Sequence, residues 1–200
     1  MRHVGADERG YVLVMVLVTL LLLIVIGITA TTTTTVEVQI AGNDKVNKQT
    51  FYGADAGTEV AARMVEENIA CGTGFTVDPA DAQGRAIINN VIAVPATALT
   101  FWRNEAAVDP SDANRHLYYP QNYTGSAPHT NITVSGQTRY VTGSAIQMVS
   151  GYEGKGKGAA SGGGYIRYNL VSQRIGAQNS ESEVEIVWRH NIGLEGDCRY

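Results

Sequence analysis

Between residues 11 and 30 the chain carries no charged side chain, and Thr19, Gly27 and Thr29 are its only weakly apolar positions. At about 1.5 Å per residue this run makes a helix about 30 Å long, the thickness of a bilayer's hydrocarbon. The three softer residues are tolerated in a membrane helix, where Thr bonds back to its own backbone and Gly permits close packing. A chain with such a segment cannot fold as a single water-soluble globule, because the run is too long and too uniform for one core-facing stripe.

What precedes and follows the run leaves three readings open. A cleaved secretory signal has a shorter apolar core and a small-residue cut site after it. Here Ala30, Thr31 and Thr32 lead into more helix-like sequence instead. An uncleaved signal anchor is the second reading. The third is cleavage before the run, between Gly10 and Tyr11, which leaves the apolar helix on the mature chain. Arg2, His3 and Arg9, offset by Asp7 and Glu8, favour a cytoplasmic N-terminus only slightly.

Beyond the run the pattern stays helical. Phe51, Ala54, Thr58, Ala61, Val65 and Ile69 recur at steps of three and four, with Ala56, Gly57, Ala62 and Met64 widening the stripe. No proline occurs before Pro79. One helix over residues 11–70, about 90 Å if unbroken, is expected. The threonines at 31–35 and the stretch Ala41, Gly42, Asn43, Asp44 are the two places where it could bend or stop. Glu37 reads either as a solvated acid or as a partner for a neighbouring chain.

Arg9, Gly10 and Tyr11 before the apolar run resemble the type III signal of type IV pilins and pseudopilins. Val36, Glu37, Val38, Gln39, Ile40, Ala41, Gly42 and Asn43, followed by Gln49, Phe51, Ala54, Asp55 and Ala56, resemble the N-terminal segment of PilX-type minor pilins. The resemblance covers about residues 7–67 and implies an α+β pilin-like fold, in which a long membrane-spanning helix packs by its C-terminal half on an antiparallel sheet. It implies a leader at residues 1–10 that prepilin peptidase cuts after Gly10, with methylation of Tyr11. It further implies a filament-core helix at 11–30, a continuation at 31–70 and a globular domain at 71–200. Met15, Glu37, Gly42, Asn43 and Phe51 fall in the segment that packs in filaments. Met15 occupies the fifth mature position, where repeating subunits carry glutamate. An unpaired carboxylate in hydrocarbon is costly, so its absence suits a subunit with none above it. The implied partners are prepilin peptidase, other minor pilins, the major pilin, the inner-membrane assembly platform, a tip adhesin and the lipid bilayer. The implied location is the bacterial inner membrane, with the globular domain periplasmic, and then the pilus tip. A K-like pseudopilin of type II secretion is the nearest alternative, although such proteins carry an added domain for which this chain has little room.

The rest of the sequence supplies a modest domain. Cys71 and Cys198, the only cysteines, frame it. In an oxidising compartment they read as a disulfide that closes a loop of about 127 residues, worth about 5 kcal/mol in the chain-entropy account. Two free buried thiols are the alternative. Residues 87–94 read as helical turns or a strand, and Thr100 to Trp102 as a short strand. Residues 104–130 look like a variable surface region in which Tyr118, Tyr123 and Tyr119 either contact partners or pack on the domain's own sheet. Strands are expected at residues 132–134, 140–149, 165–175 and 184–188, with Gly136 as a break. Residues 151–164 form a Gly-rich loop that lacks the Gly-Lys-Ser/Thr ending of a phosphate loop.

Chemistry-bearing patterns are sparse. The four histidines match no metal spacing, Asp78, Asp81, Asp109 and Asp112 do not follow an EF-hand loop, and no hydrolase motif occurs. Glu66 and Glu67, adjacent on a helix, read as a solvated face. Asn122 and Asn131 match the glycosylation triplet weakly. A formal net charge of −4 gives nucleic-acid binding no support. No enzyme, cofactor or metal is expected. The contrary reading, a membrane-anchored enzyme or binding domain, calls for Asp112, His116 and His129 to converge on a pocket.

Overall fold

The computed structural model describes residues 8–103, 106–140, 164–193 and 197–200. All but Tyr140 of the strand expected at 140–149 lies outside them, as do residues 151–163 of the Gly-rich loop and the first seven residues of the leader. The chain divides into two units, Met1–Lys45 and Val46–Tyr200. Helix α1, Glu8–Asn68, runs through both. The threonine stretch and residues 41–44 are helical throughout, so the helix stops at neither.

Within the second unit, α1 ends at Asn68, whose side chain donates to the Met64 carbonyl at 2.7 Å. The following turn is closed by the Cys71 N–H on the Asn68 carbonyl at 2.8 Å. A six-stranded antiparallel sheet follows as a meander, in the order β1 (Ala86–Ile88), β2 (Ile92–Val94), β3 (Leu117–Tyr119), β4 (His129–Tyr140), β5 (Gly164–Ile175) and β6 (Glu181–Asn191). The fold is the pilin-like α+β arrangement: the C-terminal part of a long apolar helix on an antiparallel sheet.

Several short elements differ from expectation. Residues 87–94 make a hairpin, because Asn89 and Asn90 take φ of 52° and 57°, the left-handed pair that a tight type I′ turn needs. Thr100 to Trp102 is not a strand. It follows a 3-10 turn, Ala96–Ala98, and sends Phe101 and Trp102 into the core, where both stack around Phe75 at 5.6 and 5.3 Å. Gly136 does not interrupt β4, since it pairs with Tyr168 in an unbroken register from His129↔Ile175 to Tyr140↔Gly164.

Pairing by twos sorts the side chains. Ile132, Val134, Tyr168, Leu170 and Ser172 point to α1 and are buried, and Ala54, Gly57, Thr58, Ala61 and Val65 meet them from the helix. Small residues let helix and sheet approach closely. A Cβ on Gly57 would come within 2.0 Å of the Ser172 hydroxyl. Two members of the expected stripe are left uncovered: Phe51 is 50% exposed and Ala56, about 140° further round the helix, is exposed as well. Cys71 and Cys198 form the disulfide, with Cα atoms 5.1 Å apart.

Candidate functional site

In the first unit every described side chain from residue 10 to 45 is exposed. Tyr11, Met15 and the surrounding valines, leucines and isoleucines therefore have no cover among the described residues. The helix is long and apolar enough to cross a membrane, and none of its most apolar window is buried. A soluble core helix would be covered, whereas each aliphatic side chain here gains about 1.5–3 kcal/mol on leaving water. This is the character of a membrane-associated segment.

The threonines complete it. The hydroxyl of Thr33 donates to the Thr29 carbonyl at 2.9 Å, that of Thr34 to Ala30 at 3.0 Å, and that of Thr35 to Thr31 at 2.9 Å. Thr31 and Thr32 bond back in the same way, to Ile28 and Thr29 at 2.9 Å each. With the hydroxyls satisfied internally, the stretch needs no water and costs little in hydrocarbon. Gly10, Gly27 and Gly42 have open space where a Cβ would stand, so nothing within the chain requires glycine there. Glu37 and Asn43 are exposed. Phe51 and Tyr52, in the second unit, form an exposed edge-to-face pair with ring centroids 5.7 Å apart.

The densest polar group lies on the sheet face away from α1, under the segment before β4. The His129 Nε2 lies 2.7 Å from Asp112 Oδ1, and its Nδ1 donates to the Ala127 carbonyl at 2.8 Å. Asn131 Nδ2 also donates to Asp112 Oδ1, at 2.9 Å, while Arg115 donates to the Tyr123 hydroxyl at 2.6 Å and to Asn131 Oδ1 at 2.9 Å. The Tyr123 ring stacks on His129 at 3.8 Å, and the Arg115 guanidinium sits 3.7 Å over the Tyr118 ring. Burial pushes the Asp112 carboxyl up, but hydrogen bonds from Asn131 and His129, with the charges of His129 and Arg115, hold it below its usual range.

Asp112 and His129 thus converge as the enzyme reading required, but His116 does not. Its Nδ1 accepts the Val134 N–H at 2.9 Å and its ring stacks on Phe101. Both nitrogens of His129 face oxygen atoms of the fold and the ring is 1% exposed, so neither nitrogen is open to a substrate. The network fixes the segment before β4 to the sheet. It also decides between the two readings of the tyrosines: Tyr118 is core, Tyr123 lies on His129, and the Tyr119 hydroxyl donates to the Gly53 carbonyl at 3.1 Å. Asn131 is fully buried, which removes it as a glycosylation acceptor.

Asp81 and the two glutamates read as solvated are engaged in the fold. Asp81 pairs with Arg85 at 2.6 Å, which holds its carboxyl down at about 2. Glu66 accepts the Trp188 indole N–H at 2.6 Å and lies 2.8 Å from His190 Nδ1. Glu67 accepts from Arg63 and from Arg199, each at 2.8 Å. Among the described residues no group of three or more His, Cys, Asp or Glu could hold a metal ion. Residues more than 100 apart make the Glu66 cluster, and no local spacing announces it.

The family model described as PilX N-terminal matches residues 9–59. The match spans the apolar helix and its continuation as far as Glu59, and it is consistent with membership of the type IV pilin-like group. No curated protein and no solved structure matches the chain.

Proposed function

We propose that the chain is a minor pilin of the PilX type that promotes type IV pilus assembly from a position at or near the filament tip. The observation that carries this reading is the PilX N-terminal match over an apolar helix whose side chains are all exposed from residue 10 to 45. Such a helix is at rest only in lipid or among other helices, and a pilus subunit passes from the first setting to the second. In this reading prepilin peptidase removes residues 1–10 at the inner membrane and Tyr11 becomes the N-terminus. The globular domain stands in the periplasm until the assembly platform extracts the helix.

Met15 supports a terminal position. With no carboxylate there, nothing in the helix calls for the amine of a subunit above it. Phe51 and Tyr52 extend the uncovered apolar surface into the globular unit, where the helices of other minor pilins and the major pilin supply cover. Glu37, Gly42 and Asn43 lie along the same exposed helix, and a tip adhesin is the remaining partner. No step is catalytic.

The test is mass spectrometry of the mature chain after co-expression with a prepilin peptidase. An N-methylated Tyr11 is expected, and replacing Gly10 with valine should leave the leader in place. An intact Met1, or a cut near Ala30, would overturn the processing. Capture with secretion pseudopilins instead of pilus subunits would move the chain to the K-like class.

A further inference from the structure

The last strand of the sheet has an unused edge. β6 pairs with β5 on one side over Tyr165↔Asn191 to Ile175↔Glu181, and among the described residues no strand pairs with its other side. Two bonds beyond the strand ends fix which backbone groups face which way. Gly176 N–H donates to Ser180 O at 2.7 Å and Ile192 N–H to Gly164 O at 3.2 Å, both in the register of the ladder. In an antiparallel pair, hydrogen-bonded positions alternate. The even-numbered residues of β6 therefore bond to β5, and the odd-numbered residues direct N–H and C=O outward.

Those odd-numbered residues also carry exposed side chains on the sheet face away from α1: Glu181, Glu183, Glu185, Val187 and Arg189. Gln173 donates to Glu181 at 2.6 Å, Asn169 donates to Glu185, and Glu183 has no hydrogen bond or ion pair among the described residues. Arg189 is occupied over the Tyr165 ring at 4.3 Å. On the helix side, Val184, Ile186 and Trp188 are only half-buried, so the apolar layer also stops short at this edge. The edge has no proline and no bulge, so only the charge of Glu181, Glu183, Glu185 and Arg189 guards it against its own kind.

We infer that the outer edge of β6 accepts an added strand from a partner protein, an extended segment with lysine or arginine at every second position and aliphatic residues between. Main-chain bonds to the odd-numbered residues supply the affinity. Cross-strand pairing with Glu181, Glu183 and Glu185 selects the basic face, and the aliphatic residues extend the layer begun by Val184 and Ile186. A two-fold copy of β6 is not the occupant. Residues 46–68 run along β6 in its own sense, from Thr50 beside Ser180 to Glu66 beside Trp188 and His190. An antiparallel copy would carry that helix segment in the opposite sense and would bring a second acidic edge against this one.

The experiment is residue-resolved hydrogen exchange on the full chain in detergent micelles, with a synthetic peptide alternating lysine and valine as the probe. Without peptide, the amides of Glu183, Glu185 and Val187 should exchange much faster than those of Val184, Ile186 and Trp188. Slow exchange at the odd-numbered amides would show an edge already covered and overturn the inference. The peptide should protect those amides, and Glu183→Gln with Glu185→Gln should weaken its binding about tenfold. A glutamate-for-lysine peptide should not bind. Absence of protection, equal binding by a peptide N-methylated at alternate amides, or an unchanged affinity for the double variant would each overturn it.

Discussion

Gly57 sets how closely the helix lies on the sheet, and its replacement by alanine tests that contact. In an open helix interior Gly→Ala is stabilising by about 1 kcal/mol. At residue 57 the added Cβ meets the Ser172 hydroxyl at 2.0 Å, with Ser172 Cβ and Thr130 Cγ2 each at 3.0 Å. Ser172 and Thr130 are fully buried on adjacent central strands, so neither can swing into solvent. Rotating the serine relieves the shortest contact but leaves both carbon contacts. Overpacking of this kind costs about 1–3 kcal/mol against that gain, so Gly57→Ala should destabilise by up to about 2 kcal/mol net. Gly53 is the control. Its Cβ would meet only the side chain of Arg174, at 3.0–3.1 Å, and that side chain is long enough to move. Gly53→Ala should therefore be neutral or stabilising by up to about 1 kcal/mol. Thermal unfolding of the full chain in micelles, followed by the fluorescence of Trp102 and Trp188, reads both, at about 2–4 °C per kcal/mol. Adding Ser172→Gly should recover most of the loss in Gly57→Ala. If the two alanine variants are equally stabilised, or Ser172→Gly rescues nothing, the close-approach argument fails.

Replacing Cys71 and Cys198 by serine should lower the unfolding free energy by about 2–5 kcal/mol, with amide protection lost first at residues 197–200; an unchanged midpoint would make the bond incidental. Asp81 sits at about 2 against an ordinary 3.8, held down first by its hydrogen bond from the Arg85 side chain. A lowered acid contributes stability that is full above pH about 3.8 and is lost as pH falls towards about 2. Wild type should lose stability over that window more steeply than Asp81→Asn, and parallel acid titrations would refute the pairing. Glu66→Ala takes away the acceptor of the Trp188 indole and should cost about 1–3 kcal/mol with a shift in tryptophan emission, whereas a solvated glutamate would cost almost nothing.

The legible parts of this chain are those where one residue's neighbours in sequence are also its neighbours in space. The apolar run, the threonines bonding back by one turn, the three-and-four stripe of Ala54, Thr58, Ala61 and Val65, and the alternation through Tyr165 to Leu170 are all of that kind. The cysteine pairing was legible for another reason, since two thiols allow only one bond. Phe51 was misassigned because periodicity gives a helix face but not how far the sheet extends under it. The hairpin at Asn89 and Asn90 was missed because two left-handed asparagines are a weaker signal than Asn-Gly, although the signal was present. Tyr118 and Tyr123 could not be resolved from sequence, since an aromatic that binds a partner and one that packs on its own sheet look alike.

The acidic residues show why the polar contacts stayed hidden. Glu66 and Glu67 diverge around the helix, and solvation was the economical reading. Yet Glu66 lies under β6 and Glu67 against the C-terminal tail, whose Arg199 N–H donates to the Glu67 carbonyl at 3.1 Å. The disulfide holds the tail where Arg199 reaches Glu67, one residue before the helix ends. These contacts lie at the far end of α1 from the uncovered apolar residues. A helix with one end clasped to its own domain and the other exposed has its stability divided in the same way. The globular unit can hold its fold whatever covers the apolar segment, because none of the core packing among the described residues draws on residues 10–45.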